Sequence, residues 1–167
     1  MKIMIVAALG VALLLSPVCA GAQTTPAAPP APPPYGMSIG FDAAKKAIAA
    51  AEAEAKKNNW AVAIAIVDTG GHLVAFSRLD NTQIGSVEIA LGKARTANNL
   101  KRATKALQDA IAQGGANLRL LAVKDVMPLE GGVPIIVDGK IIGGIGVSGV
   151  MSNQDAEVAM AGVNAAK

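Results

Sequence analysis

The chain of 167 residues is poor in several side chains on which chemistry depends: one cysteine, one histidine and four aromatics, Tyr35, Phe41, Trp60 and Phe76. A lone cysteine permits no intrachain disulfide. One histidine and one cysteine cannot supply a clustered zinc site. Four aromatics are too few for the stacking platforms that hold single-stranded nucleic acid, and the small net charge of +3 gives no basic footprint. No P-loop, EF-hand or HExxH string occurs. Any mechanism that needs an imidazole must use His72.

Apolar residues, by contrast, make up 52% of the chain, and 34 residues are alanine. Part of this excess lies in residues 1–22. Lys2 precedes an apolar run, Ile3 to Leu15, broken only by Gly10 and too short to span a bilayer, which needs ~20 residues. Ala20-Gly21-Ala22 then fits an A-x-A cleavage signal, so 1–22 reads as a secretory signal peptide and the expected location is periplasmic or secreted. Its removal takes Cys19 away and lowers the net charge by one. Residues 23–36 hold six of the nine prolines and read as an extended Pro/Ala-rich linker. Residues 37–167 are then one domain, long enough to bury a core.

Within it, Phe41, Ala44, Ile48, Ala51 and Ala55 predict an amphipathic helix over 41–58, with Ser38 as N-cap and Asn58-Asn59 at its end. The apolar run 60–67 predicts a strand covered on both faces. Asp68-Thr69-Gly70-Gly71 is a turn, and 72–79 returns as a second strand with His72, Val74, Phe76 and Arg78 on one face. A helix is expected over 83–97, capped by Thr82, with Ile84, Val87, Leu91 and Ala94 buried; a shorter one follows over 101–113. Residues 133–137 and 141–148 form a hairpin about Asp138-Gly139. Ser152-Asn153-Gln154-Asp155 resembles a capping box opening a last helix to about Ala165. Two hairpins among helices predict an α/β (α+β) fold, an antiparallel sheet with helices on both faces in a three-layer sandwich.

Gly144-x-Gly146-x-x-Gly149 matches the dinucleotide fingerprint as a string. It lies inside a hairpin strand, however, with no room for a following βαβ unit, so that function is excluded. Gly144 and Gly146 leave one strand face nearly bare, which suits either a closely packed alanine-rich helix or a flat ligand. A Ser-His-Asp triad can be written from Ser86 or Ser148, His72, and Asp68 or Asp80, but no GxSxG elbow supports it. Lys93, Arg95, Lys101, Arg102 and Lys105 form a cationic run that is a solvated face or a holder of carboxylates.

The order of short motifs carries a resemblance. Val67-Asp68-Thr69-Gly70-Gly71-His72-Leu73 with Arg78-Leu79-Asp80, then Lys93-Ala94-Arg95-Thr96-Ala97, then Gly131-Gly132-Val133-Pro134-Ile135 and Gly143-Gly144-Ile145-Gly146-Val147-Ser148-Gly149 resemble the GlcG/HbpS family of haem-binding or haem-degrading domains. Gly144 stands where that pattern has alanine. The resemblance implies a profilin-like sheet, a homo-oligomer (an octamer among the options), and haem carriage, storage or slow degradation. The family's corrinoid adenosyltransferase fusions are not expected in a chain this short. Implied site residues are His72 as axial ligand to haem iron, Met127 as a second candidate, Arg78, Lys93 and Arg95 as a cationic rim for propionates, and Gly131, Gly132, Gly144 and Gly146 around the ligand. Binding rather than catalysis is the expectation, with no catalytic residue assigned, no nucleic-acid partner and no stable membrane insertion after signal removal. The alternatives are an accessory protein holding a glycolate-like carboxylate through Arg78, Arg95 and His72, and a structural homo-oligomer with no small ligand.

Overall fold

Alanine and glycine dictate how closely the layers of this protein approach. The computed structural model describes residues 30–167; the expected signal peptide and most of the expected linker lie outside the described residues. The elements run α1 (Phe41–Lys57), β1 (Ala63–Asp68), β2 (Leu73–Arg78), α2 (Ser86–Asn99), α3 (Thr104–Ala112), a 3₁₀ helix (Gly115–Ala122), β3 (Gly132–Val137), β4 (Lys140–Ser148) and α4 (Ser152–Ala165). The strands form one antiparallel sheet in the order β2-β1-β4-β3. The α+β class with helices on both faces is therefore as expected.

The register sorts the side chains onto two faces. Ile64 pairs with Val147 and Ile66 with Ile145, and this face meets α1 and α4 in a core with Ala44, Ala47, Ala51, Val158 and Val163. Gly162 of α4 comes so close to α1 that an added Cβ would lie 3.0 Å from the Ala47 carbonyl. On the other face Ala63 pairs with Ser148, Ala65 with Gly146 and Val67 with Gly144, and α2 lies across them through Ala90 and Ala94. A Cβ on Gly146 would collide with the Ala90 carbonyl and the Ala94 amide, and one on Gly144 would sit 2.6 Å from the Ala94 carbonyl. Helix α2 therefore fills the bare strand face, and a flat ligand has no space there.

Several local expectations are corrected. Helix α1 is capped by Gly40 rather than Ser38, whose hydroxyl instead meets that of Thr69 at 2.6 Å. Its buried stripe is Ala44, Ala47, Ala51 and Ala55, with Phe41 left exposed. Helix α2 begins at Ser86, because Thr82 turns its hydroxyl back to the Leu79 carbonyl at 2.7 Å. Ile84 is consequently exposed, and α2 buries Ser86, Ala90, Lys93, Ala94 and Ala97. The alternation of β2 is broken by a bulge, which places Leu73, Phe76 and Arg78 opposite Val67, Ala65 and Ala63. His72 precedes the strand. At α4 the Gln154 side chain, not that of Asp155, accepts the Met151 amide at 3.2 Å. Residues 34–36 lie along β4: the Ile141 amide donates to the Pro34 carbonyl at 2.9 Å and the Gly36 amide to the Ile141 carbonyl at 2.8 Å.

Gly146→Ala must push α2 off the sheet, since the atoms met are backbone and cannot rotate away. A loss of about 1–3 kcal/mol or more is expected in urea unfolding. Gly85→Ala, where an added Cβ meets nothing within 4 Å, is expected to lose none.

Candidate functional site

The β1–β2 turn is built by one carboxylate. Asp68 Oδ1 accepts the Gly70 amide at 2.8 Å and the His72 amide at 2.9 Å. Gly71 supplies the positive φ of 80° that the turn requires. Helix α2 clamps the turn from the side: Arg95 Nε donates to the Gly71 carbonyl at 3.1 Å and Asn98 Nδ2 to the Thr69 carbonyl at 3.0 Å. Asn98 Nδ2 also donates to Asn99 Oδ1, which fixes the amide orientation and leaves its buried Oδ1 without a partner among the described residues. From the opposite side the Tyr35 hydroxyl donates to the Asn98 carbonyl at 2.8 Å, and Lys101 lies over the Tyr35 ring.

His72 stands on this turn with its side chain 83% exposed. Its Nδ1 lies 3.4 Å from Asp68 Oδ1, and Nε2 has no hydrogen-bond partner among the described residues. Leu73 and Phe76 follow on the part of the sheet that α2 does not cover, and both remain exposed. Arg95 reaches the turn with Nε only, so its terminal nitrogens are uncommitted among the described residues. Arg95 also lines a cleft of about 260 Å³ with Glu88, Leu91, Gly92 and Met127. The Met127 amide donates to Thr96 Oγ1 at 2.8 Å, which fixes its loop on α2. His72, Arg95 and Met127 are thus neighbours of one helix.

The other residues expected at the site do not join them. Lys93 is 2% exposed, with Nζ donating to Asp155 Oδ2 at 2.7 Å and to the Val147 carbonyl at 2.9 Å. It is a buried tie between α2, β4 and α4 and cannot serve as a rim cation. Burial pushes the Asp155 carboxyl above its ordinary value against the pull of Lys93. Gly131 and Gly132 are buried beside this pair; a Cβ on Gly131 would meet Asp155, Val147 and Lys93, and one on Gly132 would meet the backbone of Lys93 and the Thr104 side chain. They admit the ion pair rather than a ligand. Arg78 sits at the far end of β2, about 20 Å of strand from His72 at ~3.3 Å per residue, and donates to the Thr82 carbonyl at 3.0 Å. The trio Arg78, Arg95 and His72 therefore does not converge on one small carboxylate. Ser86 and Ser148 face each other at 3.3 Å, buried, with Ser148 paired to Ala63 at the end of β1 away from His72, so no triad forms. Lys93–Asp155 and the Asn98 clamp had no signal in the local sequence, since their partners are 62 and 29 residues apart.

Comparison with known proteins agrees with this architecture. A family described as "Haem degrading protein HbpS-like" matches residues 39–164. Protein GlcG of Escherichia coli (strain K12) is 46% identical over 101 residues, 60% of this chain and 74% of GlcG. A crystal structure of HbpS superposes with a TM-score of 0.72 at 32% identity, covering 77% of this chain and 90% of that one. A PduOC:heme complex superposes at 0.71 with 30% identity, covering 77% and 95%. The chain belongs to the HbpS-like family.

Two outcomes follow from this geometry. Asp155→Ala strands the Lys93 ammonium in the interior and is expected to cost about 3–5 kcal/mol in urea unfolding, most of it recovered when Lys93→Met accompanies Asp155→Leu. For Asp68, burial pushes the carboxyl up, but the His72 and Gly70 amides and the nearby imidazole outweigh it and hold it below 3.8. A depressed folded value means that the stabilisation is full above the unfolded value and is lost as pH falls through the folded one. The Gly70 and His72 amide resonances should therefore titrate with a midpoint below that of an ordinary aspartate, whereas Asp68→Ala displaces them at every pH.

Proposed function

We propose that this protein is an exported haem-binding protein that acts as a homo-oligomer, with His72 as the axial ligand. The observation that carries the proposal is the pairing of His72 with Asp68. Imidazoles that ligate metals characteristically turn one ring nitrogen to a carboxylate or carbonyl, which orients the ring and leaves the other nitrogen free for the metal. Here Nδ1 faces Asp68 and Nε2 faces solvent. The residues present fit the rest of a haem. Leu73 offers exposed apolar surface next to His72, with Phe76 further along the same strand face, and the free terminal nitrogens of Arg95 suit a propionate. When bound, the haem iron would supply the Lewis-acidic and redox centre; the protein's own residues position it and set its access to water. The match to haem-linked relatives supports the same reading, and the apolar run with its cleavage signal supports export. Exposed Ile84 and Leu121, outside the surface assigned to haem, support contact between copies.

Titration of the apoprotein with haemin is expected to give a saturable Soret change. His72→Ala should shift the Soret maximum or abolish the change, because the ligand set is altered. Arg95→Ala should weaken binding about tenfold, the worth of one charge-assisted bond, and leave the spectrum of the bound form unchanged. A wild-type protein without saturable change would exclude haem; an unaltered spectrum in His72→Ala would exclude that residue as ligand.

A further inference from the structure

We propose that a second cleft, at the end of the β1–β2 hairpin away from His72, binds an uncharged polyhydroxy ligand, a monosaccharide or short saccharide. The cleft measures about 360 Å³ and is lined by Lys56, Asn59, Trp60, Leu79, Asp80 and Asn81. That volume is within the range of small-molecule sites, roughly 300–1,000 Å³. Its location, where α1 enters β1 and β2 leaves for α2, separates it from the haem site by the length of the sheet, so the proposal does not rest on the haem reading.

Both walls are fixed by main-chain bonds. At the end of α1 the Asn59 amide donates to the Lys56 carbonyl at 3.1 Å and the Trp60 amide to the Ala55 carbonyl at 2.9 Å. Across the cleft, the Leu79 amide donates to the Val62 carbonyl at 3.0 Å, and Thr82 and Arg78 close the following turn. Each wall turns through an asparagine of positive φ, 57° at Asn59 and 64° at Asn81. A bound molecule would meet preformed walls, which lowers the entropy cost of binding.

The chemistry of the lining selects the ligand. Trp60 is half-buried against the core and contributes the remainder of its indole to the cleft. Its ring N–H has no acceptor among the described residues and stays open to solvent, free to donate to a ligand. Asn59, Asp80 and Asn81 likewise make no side-chain hydrogen bond among the described residues. One aromatic surface beside two amides and a carboxylate offers donors and acceptors together, as vicinal hydroxyl groups require. Charge excludes the competitors. Asp80 opposes an anion, and Lys56, its charge already answered by Glu52 at 2.9 Å, leaves no free cation for one, so neither sign of ligand charge finds a dedicated partner. An uncharged ligand with many hydroxyls and an apolar C–H face meets neither objection.

Trp60 is the only tryptophan of the chain, so its emission reports this cleft directly. The haem-free full chain is titrated with D-glucose, N-acetyl-D-glucosamine and cellobiose, with potassium acetate and tetramethylammonium chloride as charged probes. The expected result is a saturable change in Trp60 emission with at least one saccharide. Asp80→Asn, and Asn81→Gly, which keeps the positive φ available, should each weaken it at least about tenfold. His72→Ala should leave it intact. Emission that stays flat to about 100 mM, where even a millimolar site is saturated, overturns the proposal. So does a response to the charged probes alone, or a saccharide response unchanged in both cleft variants.

Discussion

Everything in this domain depends on how closely α2 lies against the sheet. Gly132, Gly144 and Gly146 carry no side chain where that helix crosses, and the helix answers with Ala90, Ala94 and Ala97. The separation is set by main chain against main chain, since a single Cβ at Gly146 would meet the α2 backbone. Close-packed interiors gain dispersion energy from every such contact, but they cannot absorb an added methyl group. The short separation also has a geometric consequence. Side chains leaving the flanks of α2 reach groups that a helix at ordinary distance would miss. Lys93 reaches the Val147 carbonyl and Asp155, Arg95 reaches the Gly71 carbonyl, and Asn98 reaches Thr69. One packing choice thus positions both the buried ion pair and the turn that carries His72.

The two ends of the β1–β2 hairpin then differ because different neighbours bound them. At the turn end, α2 and the Tyr35 strap hold a loop whose imidazole projects into solvent. At the open end no helix covers the junction of α1 with β1, and a polar cleft remains. The bulge in β2 links the two: by shifting the alternation it places Leu73 and Phe76 on the same face, uncovered, next to His72. Without it, Leu73 would fall on the opposite face of the sheet and Phe76 alone would remain here.

Much of this fold was legible because the periodic signals were strong. Asp138-Gly139 gives the turn of β3–β4 directly, with φ values of 48° and 71°, and the alternation of Ile and Ala in β1 announces two buried faces. The bare glycine face showed close approach but not what approached. The caps that failed, and with Thr82 the start of α2, did so because a side chain found a better partner than the expected one. Thr82 bonds back to Leu79 instead of capping α2, Ser38 bonds to Thr69, and Asp155 divides its carboxylate between Lys93 and the Val150 amide. For Ser38 and Asp155 the competing partner lies 31 and 62 residues away, which local patterns cannot express, whereas Thr82 chooses between two local bonds. The 3₁₀ helix Gly115–Ala122 had no signal of its own, having no buried residue to set a period.

Lys93 is the most instructive of the misplaced residues. In a run of cations it reads as solvated, and the motif around it reads as part of a ligand rim. Its burial is affordable only because the glycines at 131 and 132 leave room for Asp155 and for the ammonium, so that three motifs distant in sequence serve a single ion pair. The same accounting clarifies Arg95, two positions along the helix. Arg95 and Lys93 lie on different sides of α2, and the inward side already has its carboxylate. Arg95 is left with a single bond to a main-chain carbonyl and with terminal nitrogens that no acceptor takes among the described residues. A guanidinium so placed, next to an exposed imidazole and an uncovered apolar strand, is the cation of this helix that remains available to an anionic group on a ligand.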